Sequence, residues 1–293
     1  MKYKKKMKVG IDVSNIYHRS YAIVSGYDGF DITKLEWQQK LGRKFITDIA
    51  SLTKKFNASE LMLAFDAKPY FRNDIRSDYK GNRTRKEQEF YDVINDIYDL
   101  LKKSGYNAVK IPGLEADDLL ALYGEQKDFT VLITNDADVR QCISPNTVVF
   151  TANSRNYKIF AVNTQIVIDN LGKEYAQYAQ VIDPSLLRFE KVLLGDSGDN
   201  VARLLPKGNG PKKVKQVYDK FLGSDMSTDE IMKSFGFDIS EQKFLEQIRM
   251  VALGSMYIPR NLYKEWLMQS KSFGSKTQLQ IKEVFKGTKY ING

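Results

Sequence analysis

The sequence predicts an α/β protein, with a mainly parallel sheet flanked by helices and then a helical C-terminal part. Three observations carry this expectation. From Val9 to Phe160, short apolar runs alternate with longer segments of helical spacing, the order expected when crossover helices join parallel strands. After Asp183 the strand signals stop, and apolar residues recur at helical intervals. The apolar runs also end in carboxylates, in the contexts VGID, LMLAFD, GLEADD, VLITNDAD and LLGDSGD.

Val9–Asp12 reads as a short buried strand, with Ser14 and Asn15 in a turn after it. Lys40–Lys55 has helical spacing through Leu41, Phe45, Ile49 and Leu52. Leu61–Asp66 is a second strand. A basic stretch follows to about Lys86, and then a helix runs through Phe90, Val93, Ile97 and Leu101. Asn107–Ile111 is a third strand, which Pro112-Gly113 breaks before a helix beginning near Glu115. Thr130–Thr134 is a fourth strand, with a helix from Asp136. Val148–Thr151 and Tyr157–Phe160 read as a hairpin across 153–156. Pro184–Gly195, Pro211–Phe221, Glu241–Leu253 and Leu279–Lys286 read as helices, giving two parts, residues 1–182 and 183–293.

In parallel sheets, ligands bind beyond the carboxyl ends of the strands. That places Asp12, Asp66, Glu115, Asp117, Asp118, Asp136 and Asp138 on one rim, and Asp196 and Asp199 repeat the i,i+3 spacing of Glu115 and Asp118. So many acids crowd together only where cations offset them. Mg²⁺ prefers oxygen ligands and needs few carboxylates per ion. Two such ions about 4 Å apart suit phosphodiester chemistry. A first-turn acid or an N-cap accounts for any one cluster by itself, but not for all five together.

The chain carries 45 Lys and Arg against 36 acidic residues, a net charge of +9; without those nine carboxylates the remainder is +18. A basic body around an acidic centre suits a polyanion. Cys142 is the only cysteine and His18 the only histidine. These counts exclude an intramolecular disulfide and a thiolate metal site, and they argue against a Ser-His-Asp triad. No apolar segment suggests a signal peptide or a membrane span, so a cytoplasmic location is expected.

Residues 68–86, KPYFRNDIRSDYKGNRTRK, hold seven Lys or Arg, two Asp and the aromatics Tyr70, Phe71 and Tyr79. Basic groups follow phosphates while aromatic faces stack on bases, which makes Arg72, Arg76, Tyr79, Lys80 and Arg83 candidate nucleic-acid contacts. A second basic element is the turn Gly208-Asn-Gly210-Pro211, which opens a helix bearing Lys212 and Lys213. Glycines and a helix N-terminus there suit a phosphate.

In order and spacing, IDVSNIYHR, AFDAKPYFR with SDYKGNR, GLEADDLLA, TNDADVRQ, LLGDSGDNV and KGNGPKK resemble the 5′-nuclease family. That family comprises the flap endonucleases, the 5′-exonuclease domains of bacterial DNA polymerase I, and phage 5′-exonucleases and RNase H proteins. The resemblance covers roughly residues 9–220. It implies a PIN-like fold, a helical arch over about 67–105 and a helix-three-turn-helix over about 195–222 that grips duplex DNA.

By the same resemblance, Asp12, Asp66, Glu115 and Asp117, helped by Asp118, surround a first Mg²⁺. Asp136, Asp138, Asp196 and Asp199 surround a second, with Mn²⁺ able to substitute and K⁺ at the helix-three-turn-helix. Arg19 and Lys80 match positions that steer the reacting phosphate, and Tyr79 matches an arch aromatic. The chain departs from the family at Val139, where an aromatic is usual, and at Lys207-Gly-Asn-Gly, where Pro-Gly-x-Gly is usual.

The implied activity is structure-selective 5′-nuclease cleavage of DNA flaps, free 5′ ends or RNA–DNA primer junctions. The enzyme would be a monomer working beside replication proteins in a bacterial or phage-infected cell. Two rivals are an Asp-rich small-molecule phosphohydrolase and an inert nucleic-acid-binding protein of the same fold. The basic stretch argues against the first, and the complete set of acids against the second.

Overall fold

The computed structural model describes residues 7–56, 58–152, 157–274 and 276–290. Among these residues, seven strands form one sheet in the order β3-β2-β1-β4-β5-β6-β7. They are β1 Met7–Asp12, β2 Glu60–Ala64, β3 Ala108–Val109, β4 Phe129–Ile133, β5 Thr147–Ala152, β6 Tyr157–Ala161 and β7 Ala179–Val181. Every pairing is parallel except β5 with β6. The antiparallel pair is the expected hairpin, although its connection at 153–156 lies outside the described residues. β1 sits between β2 and β4, with Val9 and Ile11 fully buried. Burial on both faces explains why β1 and β4 read as continuous apolar runs rather than as alternating strands.

The expected turn at Ser14 and Asn15 is instead helical. Asp12 accepts the Asn15 N–H and caps α1, Val13–Ser25, directly at the end of β1. An N-cap carboxylate satisfies a helix's first amides, so strand can pass to helix without a loop. α2 runs Leu35–Lys55, α3 is a single turn at Arg72–Ile75, α4 is Gln88–Lys103 and α5 is Ala116–Gly124. The helix expected from Asp136 is a 3-10 turn at Asp138–Cys142. Pro145 lies just beyond it and disfavours helix at Ser144, and β5 begins at Thr147.

α7 (Pro184–Leu194), α8 (Pro211–Leu222), α10 (Glu241–Val251) and α12 (Ile281–Val284) match expected helices. β7, α6 (Thr164–Asn170), α9 (Thr228–Ser234) and α11 (Arg260–Ser270) go beyond the sequence expectation. The first three are too short to show a clear period, and α11 is largely polar.

Three apolar cores hold these layers. One packs Val9 and Ile11 under α1, α2 and α4 through Tyr17, Phe45 and Ile97. A second packs the opposite sheet face against α5 and α11 through Leu120, Tyr123 and Trp266. The third joins α7, α8, α9 and α10, and takes in Tyr70 and Tyr79 from the basic stretch. Residues beyond 250 also return to the sheet: Trp266 enters the second core, and Phe285 and Tyr290 enter the first.

Candidate active site

The parallel strands bring their terminal acids to one rim. Asp12 accepts from Asn15 N–H at 2.9 Å and from the Thr134 hydroxyl at 2.8 Å. Asp66 accepts the Ala116 N–H at 2.8 Å, while its own N–H donates to Ser14 Oγ. Glu115 caps α5 and forms a reciprocal capping box with Asp118. Carboxylate oxygens of Glu115, Asp117 and Asp118 lie within 4.8 Å of one another. Asp136 is exposed and accepts the Asp138 N–H at 2.8 Å. Asp196 caps a 3-10 turn at Ser197–Asp199. Asp117, Asp138, Asp196 and Asp199 line one cleft with Arg72 and Tyr79.

Electrostatics reflect this crowding. Burial, and then the charge of Asp66, pushes Asp12 up to about 7. Burial and Glu115 raise Asp66, and burial with Glu115 and Asp118 raises Asp117. Burial likewise pushes Asp138 up to about 6, against the opposing pull of Lys191. Asp196 is the exception. Burial works to raise it, but the Lys191 ammonium and the Gly198 amide hold it below the usual carboxylate range.

The basic stretch lies across the acids. Tyr79, expected to contact nucleic acid, is instead buried, and its hydroxyl points between Glu115 at 2.8 Å and Asp199 at 3.1 Å. Lys80, at φ +56°, contacts Glu115 through Nζ and donates its backbone N–H to the Asp199 carbonyl at 3.0 Å. Arg83 pairs with Asp199 and remains half-exposed. Asn82 donates to the Ser197 carbonyl at 2.7 Å. The stretch expected as the first half of an arch therefore has one turn of helix, α3, and is pinned to the turn after α7. Arg76 is paired with Asp78 at 2.9 Å.

The expectation that Arg72 faces nucleic acid is corrected by its burial. Only 1% of it is exposed. Its guanidinium forks onto both Asp118 oxygens at 2.8 Å, reaches Glu115 at 3.1 Å and donates to the Met250 carbonyl. A planar five-donor group suits such bidentate pairing. Asp118 is thus engaged by Arg72 and supports Glu115 from behind.

Arg19 lines a neighbouring cleft with Asp48, Ser51, Lys55, Thr134, Asn135 and Tyr157. Thr134 joins that cleft to Asp12. Gly208, at φ +91°, and Gly210 have open space where a Cβ would stand. Next to them Lys212 is exposed, and Lys213 lies over the Phe235 ring at 4.7 Å. Three contributors lie outside the expected site residues: Ser14, Thr134 and Lys191. Lys191 bridges Asp138 and Asp196, and its only sequence signal is its place five residues before Asp196.

The family model of the 5′-3′ exonuclease N-terminal resolvase-like domain matches residues 8–172. The 5′-3′ exonuclease of Buchnera aphidicola is 31% identical over 155 residues, covering 51% of this chain and 50% of that protein. That of Aquifex aeolicus is 30% identical over 196 residues, covering 65% of this chain and 61% of that protein. The chain therefore spans about half the length of the first relative and less than two thirds of the second. The fold is similar to that of the bacteriophage T5 5′-exonuclease solved with zinc, with a TM-score of 0.64 at 19% identity over 92% of this chain and 99% of that one. The family match spans more than half of the chain and includes every acid from Asp12 to Asp138, so the chain belongs to the 5′-3′ exonuclease family through its N-terminal resolvase-like domain.

Proposed function

We propose that the chain is a divalent-metal-dependent, structure-selective 5′-nuclease that hydrolyses phosphodiester bonds near 5′ ends, flaps or RNA primers. One observation carries the reading: acids from five separate stretches meet on one rim, beneath a basic stretch pinned across them. A small substrate would need no such cover. The donors fit Mg²⁺ or Mn²⁺, since all are hard oxygens. Burial, and after it the neighbouring carboxylates, raise Asp12, Asp66 and Asp117, and a cation bound there would offset the second of these effects.

Asp12, Asp66, Glu115 and Asp117 would hold one ion, and Asp136, Asp138, Asp196 and Asp199 a second. When bound, such ions activate water and offset charge on phosphate oxygens. Asp118 and Arg72 fix the angle at which Glu115 faces the rim. Lys80 supplies a positive donor for the phosphate as its negative charge grows. Arg83 and Arg76 follow the strand's phosphates, with Arg19 reaching it from the adjoining cleft. Gly208, Gly210, Lys212 and Lys213 at the start of α8 grip the duplex, and a K⁺ ion at that turn belongs to the same reading. Substrates would be DNA with a 5′ flap or free 5′ end and RNA–DNA primer junctions, met beside replication proteins.

The test is a 5′-labelled flap duplex in Mg²⁺, cleaved by wild type, by Asp136→Asn and in the presence of a chelator. Loss of cleavage on the order of a hundredfold in the variant, and full loss with chelator, is the expected result. Cleavage untouched by Asp136→Asn would overturn the site assignment. Tight binding without cleavage in Mg²⁺ or Mn²⁺ would point to the inert binder.

A further inference from the structure

Lys191 stands where two of the proposed ligands of the second ion meet. Its Nζ lies 2.6 Å from Asp138 Oδ1 and 2.5 Å from Asp196 Oδ2. The two acids come from distant segments, one opening the 3-10 turn after β4 and the other capping the turn after α7. Lys191 lies in the last turn of α7, and only 21% of its side chain is exposed. It is therefore no solvated surface lysine. An ammonium this close to both carboxylates occupies the position that an ion bridging them would need. Like charges do not share such a position.

In the first group of acids the corresponding lysine is Lys80, which contacts Glu115 rather than bridging two carboxylates of that group. The hydrogen-bond donors to the Asp12 and Asp66 carboxylates are neutral: the Asn15 and Ala116 amides and the Thr134 hydroxyl. Among the described residues, no lysine pairs with either of these two carboxylates, although Lys80 contacts Glu115 of the same group. At Asp138 and Asp196 a cation must first displace one.

We propose that Lys191 is a built-in competitor for the second ion, which binds Asp138 and Asp196 by displacing the Lys191 ammonium. The lysine thereby lowers the second site's affinity below what Asp138 and Asp196 would give without it. This inference rests on the metal reading given above. It concerns one positioning residue and adds no chemical step.

The experiment is Mn²⁺ binding to the full chain without DNA, followed by calorimetry and by electron paramagnetic resonance of free Mn²⁺. Wild type is compared with Lys191→Met and Lys191→Arg. Wild type should take up two ions. Lys191→Met should tighten one step by at least about tenfold and leave the other in place. Lys191→Arg keeps the charge and should stay close to wild type. In chelator, Lys191→Met should also melt below wild type and recover on adding Mn²⁺. If the Lys191→Met variant does not fold without metal, Lys191→Gln keeps donors without charge and carries the same expectation.

A folded Lys191→Met in which neither step tightens overturns the competition. Two ions bound by wild type, with both steps unmoved in the variant, would sink this inference alone. No Mn²⁺ uptake by wild type would sink the metal reading and the competition with it.

Discussion

Asp12 lies at the floor of the acidic rim, held by the Asn15 amide and the Thr134 hydroxyl. Burial and the neighbouring Asp66 raise it from its ordinary 3.8 to about 7. The folded chain therefore keeps this proton at pH values where the unfolded chain has lost it. The stabilisation is complete below the unfolded pKa and disappears as pH rises through the folded one. Asp138, raised to about 6, works in the same direction. In chelator, the free energy of unfolding should fall between pH about 4 and 7, by on the order of a few kcal/mol. Urea titrations across that window check it. Adding Mg²⁺ should restore stability near pH 7, because an ion that binds the ionised acids favours the folded state. A stability curve that rises over this range in chelator would contradict the placement of Asp12.

At the scale of elements, the turn carrying Asp196 and Asp199 depends on Gly195. Its φ is +69°, and an added Cβ would stand 2.5 Å from the Val201 carbonyl oxygen and 2.6 Å from that of Ala202. Those contacts are backbone, so no side chain can yield, and the left-handed conformation penalises a Cβ as well. Gly195→Ala should push the turn away from Lys80 and Arg83, reducing flap cleavage by far more than its melting temperature alone would suggest. Cleavage assayed well below the melting point, with circular dichroism as the fold control, separates the two effects. Normal cleavage would show that the turn tolerates displacement.

The acids of this turn are legible in the sequence because Asp-x-x-Asp closes an apolar helix, just as the other acids close apolar strands. Parallel strands share one carboxyl edge, so the alternation of elements already implies a rim. What stays hidden depends on tertiary placement. A basic segment reads as solvated, and only the proximity of Asp118 turns Arg72 into a buried clamp. The start of α1 is hidden because Asp12 ends a strand and caps a helix in one residue. Two-residue β3 and three-residue β7 are too short to show a period.

For the molecule as a whole, the C-terminal residues, on which no motif bears, close the first core. Tyr290 is 1% exposed, and its hydroxyl donates to Asp96 on α4 at 3.1 Å. Its ring packs on Gly42 of α2, where an added Cβ would lie 2.7 Å from Cδ1. Phe285 and Leu279 are buried in the same core. The end of the chain thus ties α2 to α4, the helix into which the basic stretch leads. Removing a buried aromatic typically costs about 3–5 kcal/mol, through lost burial and the cavity left behind. Tyr290→Ala should lower the urea midpoint accordingly, whereas Tyr290→Phe should lose only the hydroxyl's share, about 1 kcal/mol. Tyr290 touches none of the nine acids, so cleavage by the folded fraction should persist in both variants. A midpoint unmoved by Tyr290→Ala would mean that Tyr290 does not tie α2 to α4. A normal midpoint in Tyr290→Phe beside a large loss in Tyr290→Ala would place the contribution of Tyr290 in packing rather than in the bond to Asp96.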